Sequence, residues 1–287
     1  MSANGSGAAA HSAAHRRRVL HPYGLALVVL LLPLQLFAQM EFREYLPFEG
    51  YAGADSLPLD YDVPAEFVIG RLMYPGGGRA WLRGGTSWAV DYPKGDRTLA
   101  KLLRRFTRLD VRSVEQPVNL EDGNDVYYWP FLLVGLPGNW NITDAQAAKL
   151  REYLLRGGFL YADSFFGSYD WARFAQVLQL VFPDRPVIDV PSDHPVFNIA
   201  YDVSEITFTQ IPHMGSWLGG GGGWLGDGRV PHWRGIEDDN GRLMVLVGHN
   251  NDTPDSWQWA DDPRYPADRA NLGLRIGVNI AVYLMTH

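Results

Sequence analysis

The feature that most constrains the fold is an alternation of short apolar runs with helix-forming segments. Residues 129–135 form a near-continuous apolar run, typical of a strand buried on both faces of a parallel sheet. A helix is predicted from its cap at Thr143 to about Leu155, where Gly157-Gly158 ends it. The apolar residues 159–162 then predict the next strand. Because strand, helix and strand follow one another, parallel strands with helices on the sheet faces are expected.

The same pattern extends over most of the chain. Asn240-Gly241 predicts a hairpin turn between residues 233–236 and the strand that follows. Together these elements predict a doubly wound α/β domain with a mostly parallel sheet and long loops. The other predicted strands are 67–74, 111–118, 186–188, 206–209 and 243–247, and the other helices are one containing Leu99 to Phe106, one at 171–182 and one at 272–285.

The N-terminus predicts export. Arg16 to Arg18 precede an apolar stretch, residues 24–38, that is shorter than the ~20 residues a membrane-spanning helix needs. We therefore expect a signal peptide at 1–39, an extended leader or tether at 40–64 and the α/β domain at 65–287. The predicted location is the periplasm, and the alternative is a protein anchored in the membrane by its uncleaved N-terminus.

Cysteine content and charge exclude several classes of function. The chain has no Cys, which excludes thiol nucleophiles, thiolate metal sites and iron–sulfur clusters. Without the three Arg of the first 40 residues, 22 basic side chains remain against 32 acidic ones, a formal charge of −10. Phosphate binding requires a clustered positive surface, so no nucleic-acid partner is expected. Membrane contact is expected only through an uncleaved N-terminal segment.

The loop after the predicted strand 243–247 holds the densest group of polar and aromatic side chains. In open α/β sheets, ligands bind beyond the carboxyl ends of the strands, so this loop is expected to line a site. Its residue types suit sugar binding, metal binding and acid/base chemistry about equally well. The candidates in this loop are His249, Asn250, Asp252, Trp257 and Trp259.

Two earlier segments supply further candidates. Asp163 lies at a strand-to-helix turn, where it is expected either to face the site or to accept hydrogen bonds from helix N-terminal amides. Ser164 lacks the flanking glycines of a nucleophile elbow and is not expected to be a nucleophile. Pro195 stiffens the chain beside His194, which favours a fixed imidazole that could act as a base or a ligand.

The remaining histidines do not predict a metal site. Four histidines with Asp163 and Asp252 could hold an ion, but no pair has His-x-His or His-x-x-x-His spacing, so neither metal nor cofactor is expected. His213 and His232 flank a glycine-rich segment, residues 215–228, which carries Trp217 and Trp224. This segment predicts a flexible surface flap, or a lid whose tryptophans stack on sugar rings.

Several short motifs in a fixed order are similar to those of a bacterial family of unknown function. The resemblance is to the DUF4159 family and covers residues 65–287. It implies a flavodoxin-like fold of the class I glutamine amidotransferase type. Those amidotransferases carry a Cys where Asp163-Ser164 lies here, so amidotransfer is not implied. The motifs are Arg71-Leu72-x-Tyr74, Trp88-x-x-Asp91-Tyr92-Pro93, Leu154-x-x-Gly157-Gly158-Phe159-Leu160-x-x-Asp163, Asp193-His194-Pro195-Val196-Phe197, His249-Asn250-Asn251-Asp252 and Trp257-x-Trp259.

Three functions follow as hypotheses. The first is an exported, envelope-associated domain that binds a polar small molecule or glycan. The second is a hydrolase with His194 or His249 as the base and Asp163 or Asp252 as the orienting carboxylate. The third is a structural component of an envelope protein assembly. Both pocket hypotheses require those four residues to lie within about 12 Å. The full predicted ligand-binding set is Arg71, Asp91, Asp163, His194, His249, Asn250, Asp252, Trp257 and Trp259.

Overall fold

A computed structural model describes residues 41–45, 56–75 and 87–287. All of them belong to one compact unit, Gln39–His287. The predicted export signal at 1–39 and the tryptophan at position 81 lie outside the described residues. Among the helices of the described ranges, none has both the length and the apolar character needed to cross a membrane.

The described residues contain a seven-stranded, mostly parallel sheet with the order β2-β1-β3-β4-β7-β6-β5. Strands β1 to β4 and β7 are parallel neighbours, whereas β6 is antiparallel to both β7 and β5. The parallel part follows the 2-1-3-4-5 order of flavodoxin, so the architecture is consistent with a flavodoxin-like α/β fold. The strands are β1 Ile69–Met73, β2 Gln116–Asn119, β3 Phe131–Gly135, β4 Phe159–Phe165, β5 Ile188–Asp189, β6 His232–Glu237 and β7 Leu243–His249.

Helices cover both faces of the sheet, which confirms the doubly wound prediction. Helices α2 and α3 bury Leu150 and Phe174 against alternate residues of β3, β4 and β7. Helices α1, α5 and α6 bury Leu99, Trp257 and Ile276 against the opposite side of the same strands. The helices are α1 Lys94–Phe106, α2 Asp144–Leu155, α3 Gly167–Val181, α4 Met214–Leu218, α5 Thr253–Gln258 and α6 Ala267–Thr286.

One predicted strand is wrong and another is displaced. Residues 206–209 do not form a strand, because Asp202 accepts the backbone N–H of Ser204 and starts a 3-10 turn, Ser204–Thr207. The predicted strand 111–118 is reduced to β2 at its C-terminal end, while Val111 makes only an isolated parallel bridge to Phe67. Neither difference changes the order of the central strands.

The described part of the leader contacts the domain. Arg43 forms ion pairs with Asp122 and with Asp125, the latter at 3.6 Å. Tyr45 packs edge-on against Trp88 with 5.5 Å between the ring centroids. These contacts hold residues 41–45 against the segment after β2 and against the 3-10 helix Ser87–Ala89.

Candidate functional site

Three aspartates from two distant segments meet beyond the carboxyl ends of the strands. Asp91 precedes α1, Asp252 follows β7 and caps α5, and Asp255 lies in the first turn of α5. Their exposed fractions are only 1%, 2% and 4%. The backbone N–H of Asp255 reaches the Asp252 Oδ1 atom at 3.4 Å. We call Asp91, Asp252 and Asp255 the acidic cluster.

Burial and mutual repulsion raise all three pKa values well above the usual range. For Asp91, burial is the largest cause, and the charge of Asp255 and a hydrogen bond with that residue raise the pKa further. For Asp252, burial is followed by the charges of Asp91 and Asp163. For Asp255, burial is followed by the charge of Asp252. Three carboxyl groups in this setting will bind protons or a cation more readily than exposed carboxylates do.

Ser164 brings a hydroxyl to the acidic cluster. Its Oγ atom lies 3.4 Å from Asp91 Oδ2, and a hydrogen bond between Ser164 and Asp252 lowers the pKa of the Asp252 carboxyl. The backbone of Ser164 has φ of 64°, in the left-handed region that costs a non-glycine residue free energy. This strained turn at the end of β4 aims the hydroxyl at two carboxyl groups.

His213 borders the acidic cluster from the segment that leads into α4. One ligand atom each from His213, Asp252 and Asp255 lie within 4.8 Å of one another. The backbone N–H of Met214 donates to Asp255 Oδ2 at 2.6 Å, and that of Ser216 donates to His213 Nδ1 at 3.0 Å. Burial lowers the pKa of His213, which keeps the ring neutral near pH 7.

Asp163 adjoins the acidic cluster but binds protein groups with both oxygens. Its Oδ1 accepts the backbone N–H groups of Ser164 at 2.7 Å and of Thr253 at 2.8 Å. Its Oδ2 accepts the hydroxyls of Tyr161 and, at 3.0 Å, of Thr253. Asp163 therefore joins the end of β4 to the N-terminus of α5. From the sequence, Asp163 was expected to bind amides of the next helix along the chain, which is α3. The helix amide that it binds is instead that of Thr253 in α5.

Arg71 lies in the buried layer next to the acidic cluster. Its Nε and Nη2 atoms bind the carboxylate of Asp96 at 3.2 and 2.6 Å, and both side chains are fully buried. Its Nη1 atom has no hydrogen-bond partner among the described residues. Arg71 thus neutralises Asp96 and leaves the acidic cluster without an ion pair to it.

His249 faces away from the acidic cluster. Side chains alternate along a strand, so His249 projects to the α3 side of the sheet, where Trp171 stacks on it at 5.3 Å. Its Nδ1 atom contacts Arg234 Nη1 at 2.7 Å, and its Nε2 atom contacts the Gly167 carbonyl at 3.0 Å. Arg234 has to donate, so the ring proton is on Nε2. His249 is fully engaged in packing and is not placed to act as a base on the cluster.

Replacing His249 by glutamine should reduce the loss of stability at low pH. Burial lowers the pKa of His249 to about 4, whereas the unfolded chain binds this proton below about 6.5. The histidine therefore stabilises the fold fully above pH 6.5, and this contribution falls as the pH drops towards 4. Between pH 7 and 4, the wild type should lose about 1 to 3 kcal/mol more than His249→Gln.

Urea unfolding across this pH range measures that difference. Comparison with the variant isolates the histidine from the buried aspartates, whose raised pKa values act in the opposite direction. His287→Gln, at the exposed C-terminus, serves as the control and should follow the wild type. Parallel pH profiles for His249→Gln and the wild type would contradict the assignment.

The predicted convergence is wrong for His194. Its ring packs at 5.5 Å from that of Tyr283, whose hydroxyl accepts the backbone N–H of Leu243. Leu243 is the first residue of β7, and Asp252 follows the last, so the length of the strand, about 20 Å, separates the two sites. The predicted pocket of four residues therefore does not form, His194 does not belong to the site, and both pocket hypotheses fail in the form that required this convergence. A ligand site at this edge has to be built from other residues.

The other predicted ligand-binding residues have mainly structural contacts. Trp257 is buried in the core and donates to the Gly273 carbonyl at 2.8 Å. Asn250 binds Gly167 N and the Val230 carbonyl. Trp259 is half-buried and donates to Asp255 Oδ1 at 3.0 Å, so it is the predicted tryptophan that touches the acidic cluster. Ligand binding by these residues stays a prediction.

The sequence prediction missed Asp255, and it considered His213 with Asp163 and Asp252 only as a metal site that the histidine spacing did not favour. Asp252 and Asp255 are three residues apart at a Pro-containing helix start, a spacing that brings side chains together on one helix face. That signal was available in the sequence. The position of His213 was not, because it depends on a long irregular segment that returns to the sheet edge.

Comparison with known proteins identifies a family and no curated relative. No curated protein matches this chain. A family model with the description "Domain of unknown function (DUF4159)" matches residues 71–285, from the middle of β1 to the last turn of α6. The matched range contains the whole acidic cluster, Ser164 and His213. The chain therefore belongs to the DUF4159 family.

Proposed function

We propose that this protein is an exported, envelope-associated domain that binds a polar ligand at the carboxyl edge of its sheet. The ligand class is a hydroxyl- or amine-bearing compound, such as a cell-wall glycan. The groups that contact it are the acidic cluster and Ser164. Export follows from the N-terminal signal predicted from the sequence, and envelope proteins are its expected partners.

The observation that carries this proposal is the meeting of Asp91, Asp252 and Asp255 without an ion pair among the described residues. Arg71, the cation beside them, directs its two hydrogen bonds to Asp96. A ligand that donates hydrogen bonds to these carboxyl groups would offset the burial and mutual repulsion that raise their pKa values. Sugar hydroxyls and ammonium groups are such donors.

Aromatic side chains near the cluster also support a sugar ligand. Trp217 lies on α4, the short helix next to Asp255, and 41% of it is exposed. Trp224, in the glycine-rich segment, is half-buried beneath Arg229. A small-molecule site usually combines apolar or aromatic walls with a few polar groups that fix the orientation of the ligand. We propose that Trp217 and Trp224 supply such a wall beside the acidic cluster.

Hydrolysis is less well supported than binding. The two bases predicted from the sequence are unavailable, since His194 lies at the opposite edge and His249 faces α3. Asp163 has protein donors on both oxygens. The exposed Trp217 suits an interface in a protein assembly, but a flat interface would not need buried carboxyl groups. Binding therefore accounts for more of the site than the two alternatives.

Calorimetry and thermal shift with soluble glycans test the proposal. Oligomers of N-acetylglucosamine and glucosamine itself are the probes, with a chelator present throughout. At a ligand concentration of about 100 Kd, the free energy of unfolding should rise by about 2.7 kcal/mol, which raises Tm by about 5 to 10 °C. In Asp91→Asn, the Kd should be at least tenfold weaker, about 1.4 kcal/mol.

Asp189→Asn is the matched control, because that carboxylate is 85% exposed and lies on β5, the edge strand of the sheet. It should bind as the wild type does. The absence of heat and of a Tm shift with both probes at millimolar concentration would overturn the glycan proposal. Equal weakening in Asp91→Asn and Asp189→Asn would show that binding occurs elsewhere.

A further inference from the structure

One end of the site brings together three side chains that are able to bind a metal ion. One ligand atom each from His213, Asp252 and Asp255 already lie within 4.8 Å of one another. Around a tetrahedral ion with bonds of about 2.1 Å, neighbouring ligand atoms are about 3.4 Å apart. Small side-chain movements therefore suffice to close this group around an ion.

The three residues come from rigid positions. Asp252 and Asp255 are fixed by the cap and first turn of α5, which follows directly from β7. His213 caps α4, and its segment is tied down by the hydrogen bond from Tyr265 to the Pro212 carbonyl at 2.8 Å. Ligands held on structured elements lose little conformational freedom when an ion binds.

The histidine can offer its lone pair at a small cost. In the neutral ring the lone pair is on Nδ1, where it accepts the backbone N–H of Ser216 at 3.0 Å. A bound ion would take this lone pair, and Ser216 would exchange one hydrogen bond, worth about 1 kcal/mol, for another acceptor or water. This loss is small beside the 10 kcal/mol or more (approximately) that structural zinc sites supply.

A separate observation also indicates an absent positive partner. Gln258 is three residues after Asp255 on the same face of α5 and is 1% exposed. Its Oε1 atom is buried and has no hydrogen-bond donor among the described residues. A Cβ atom placed on Gly95 would lie 3.9 Å from the Gln258 Cβ and 3.5 Å from the Asp91 Cβ, so the Gln258 and Asp91 side chains are neighbours. A buried acceptor without a donor thus adjoins Asp91 of the acidic cluster among the described residues.

We propose that His213, Asp252 and Asp255 bind a divalent transition-metal ion, with zinc or manganese as the preferred ions. One imidazole nitrogen with two carboxylate oxygens suits these ions better than Mg²⁺ or Ca²⁺, which prefer oxygen ligands alone. Three protein ligands leave a coordination position open. This inference rests on the proposed function, because the open position is where a ligand hydroxyl would bind.

Metal binding is tested on the whole protein without any glycan. Protein stripped with a chelator and dialysed is titrated with Zn²⁺, Mn²⁺, Mg²⁺ and Ca²⁺ by calorimetry and thermal shift. Zinc or manganese should bind at one ion per chain and raise Tm by about 5 °C or more at 100 Kd. Cobalt(II) should give the visible absorption of a low-coordinate site, which His213→Gln abolishes.

Two ligand variants and one control keep the test decisive. His213→Gln and Asp255→Asn should each weaken zinc binding at least tenfold, and the histidine variant, at a half-buried position, serves if the aspartate variant does not fold. His232→Gln, a half-buried histidine outside the group, should bind as the wild type does. Absence of binding in the wild type, or an equal loss in His232→Gln, overturns the proposal. Glycan binding in chelator measures the proposed function separately, so either can fail alone.

Discussion

Replacing Asp163 by alanine should destabilise the fold by about 3 to 5 kcal/mol, one of the two largest effects expected in this protein. The carboxylate accepts the backbone N–H groups of Ser164 and Thr253 and the hydroxyls of Tyr161 and Thr253. All of these donors are buried, so alanine would leave them without acceptors or admit water into the core. The link between β4 and α5 would be lost with them.

Urea unfolding at pH 7 measures this effect. Asp163→Asn should lower the free energy of unfolding less than Asp163→Ala does, because the asparagine carbonyl oxygen can still accept two of the four hydrogen bonds. The asparagine NH₂ group is itself a donor, so it cannot accept the other two. Asp189→Ala, at an exposed carboxylate, should change the free energy of unfolding by less than about 0.5 kcal/mol. If Asp163→Ala behaved like Asp189→Ala, the hydrogen-bond network would not be a source of stability.

The local parts of the fold could be predicted because short-range physics decides them. Thr143 and Gln146 form the reciprocal hydrogen bonds of a capping box, so α2 begins where the sequence indicates. Gly241 adopts φ of 78° in the turn between β6 and β7, a conformation that Asn-Gly favours. By contrast, the segment 206–209 has strand-forming residues, yet it forms a turn that Asp202 starts and that the hydrogen bond from Trp233 to the Ile206 carbonyl fixes against the sheet. That contact depends on tertiary structure.

The site was predictable to the extent that it follows from strand ends. Asp163 and Asp252 are close because β4 and β7 are parallel neighbours, which the strand pattern indicates. Alternation along β7 also predicts that His249 and Gly248 project to opposite faces, so the separation of His249 from Asp163 could have been derived. The distance of His194 from the site could not, since it depends on packing against α6.

Backbone strain marks the same edge as the acidic cluster. Among the described residues, the non-glycine residues with positive φ are Asp91, Leu136, Ser164 and Asn250. Leu136 follows β3, Ser164 lies near the end of β4, and Asn250 follows β7. Such conformations cost about 1 to 3 kcal/mol each and persist where surrounding contacts impose them. Their concentration at the carboxyl ends of the strands agrees with the proposal that this edge binds a ligand.

The second large effect is expected at the ion pair beneath that edge. Asp96→Ala should destabilise the fold by about 3 to 5 kcal/mol, because it leaves Arg71 charged and buried without a partner. Both side chains are fully buried, and the pair joins β1 to the first turn of α1. Burial raises the pKa of Asp96 to about 6 even though Arg71 lowers it, so desolvation outweighs the attraction between the two charges.

That balance predicts a non-additive result when both partners are replaced. The double variant Arg71→Met with Asp96→Leu removes the uncompensated charge and should be at least 1 kcal/mol (approximately) more stable than Asp96→Ala. Arg104→Met is the control on the same helix, since its ion pair with Asp60 is exposed, and it should cost less than about 1 kcal/mol. Denaturant unfolding of the four proteins gives the comparison. A double variant less stable than Asp96→Ala would mean that Arg71 stabilises the fold through something other than this pair, such as the attraction of its charge to Asp91.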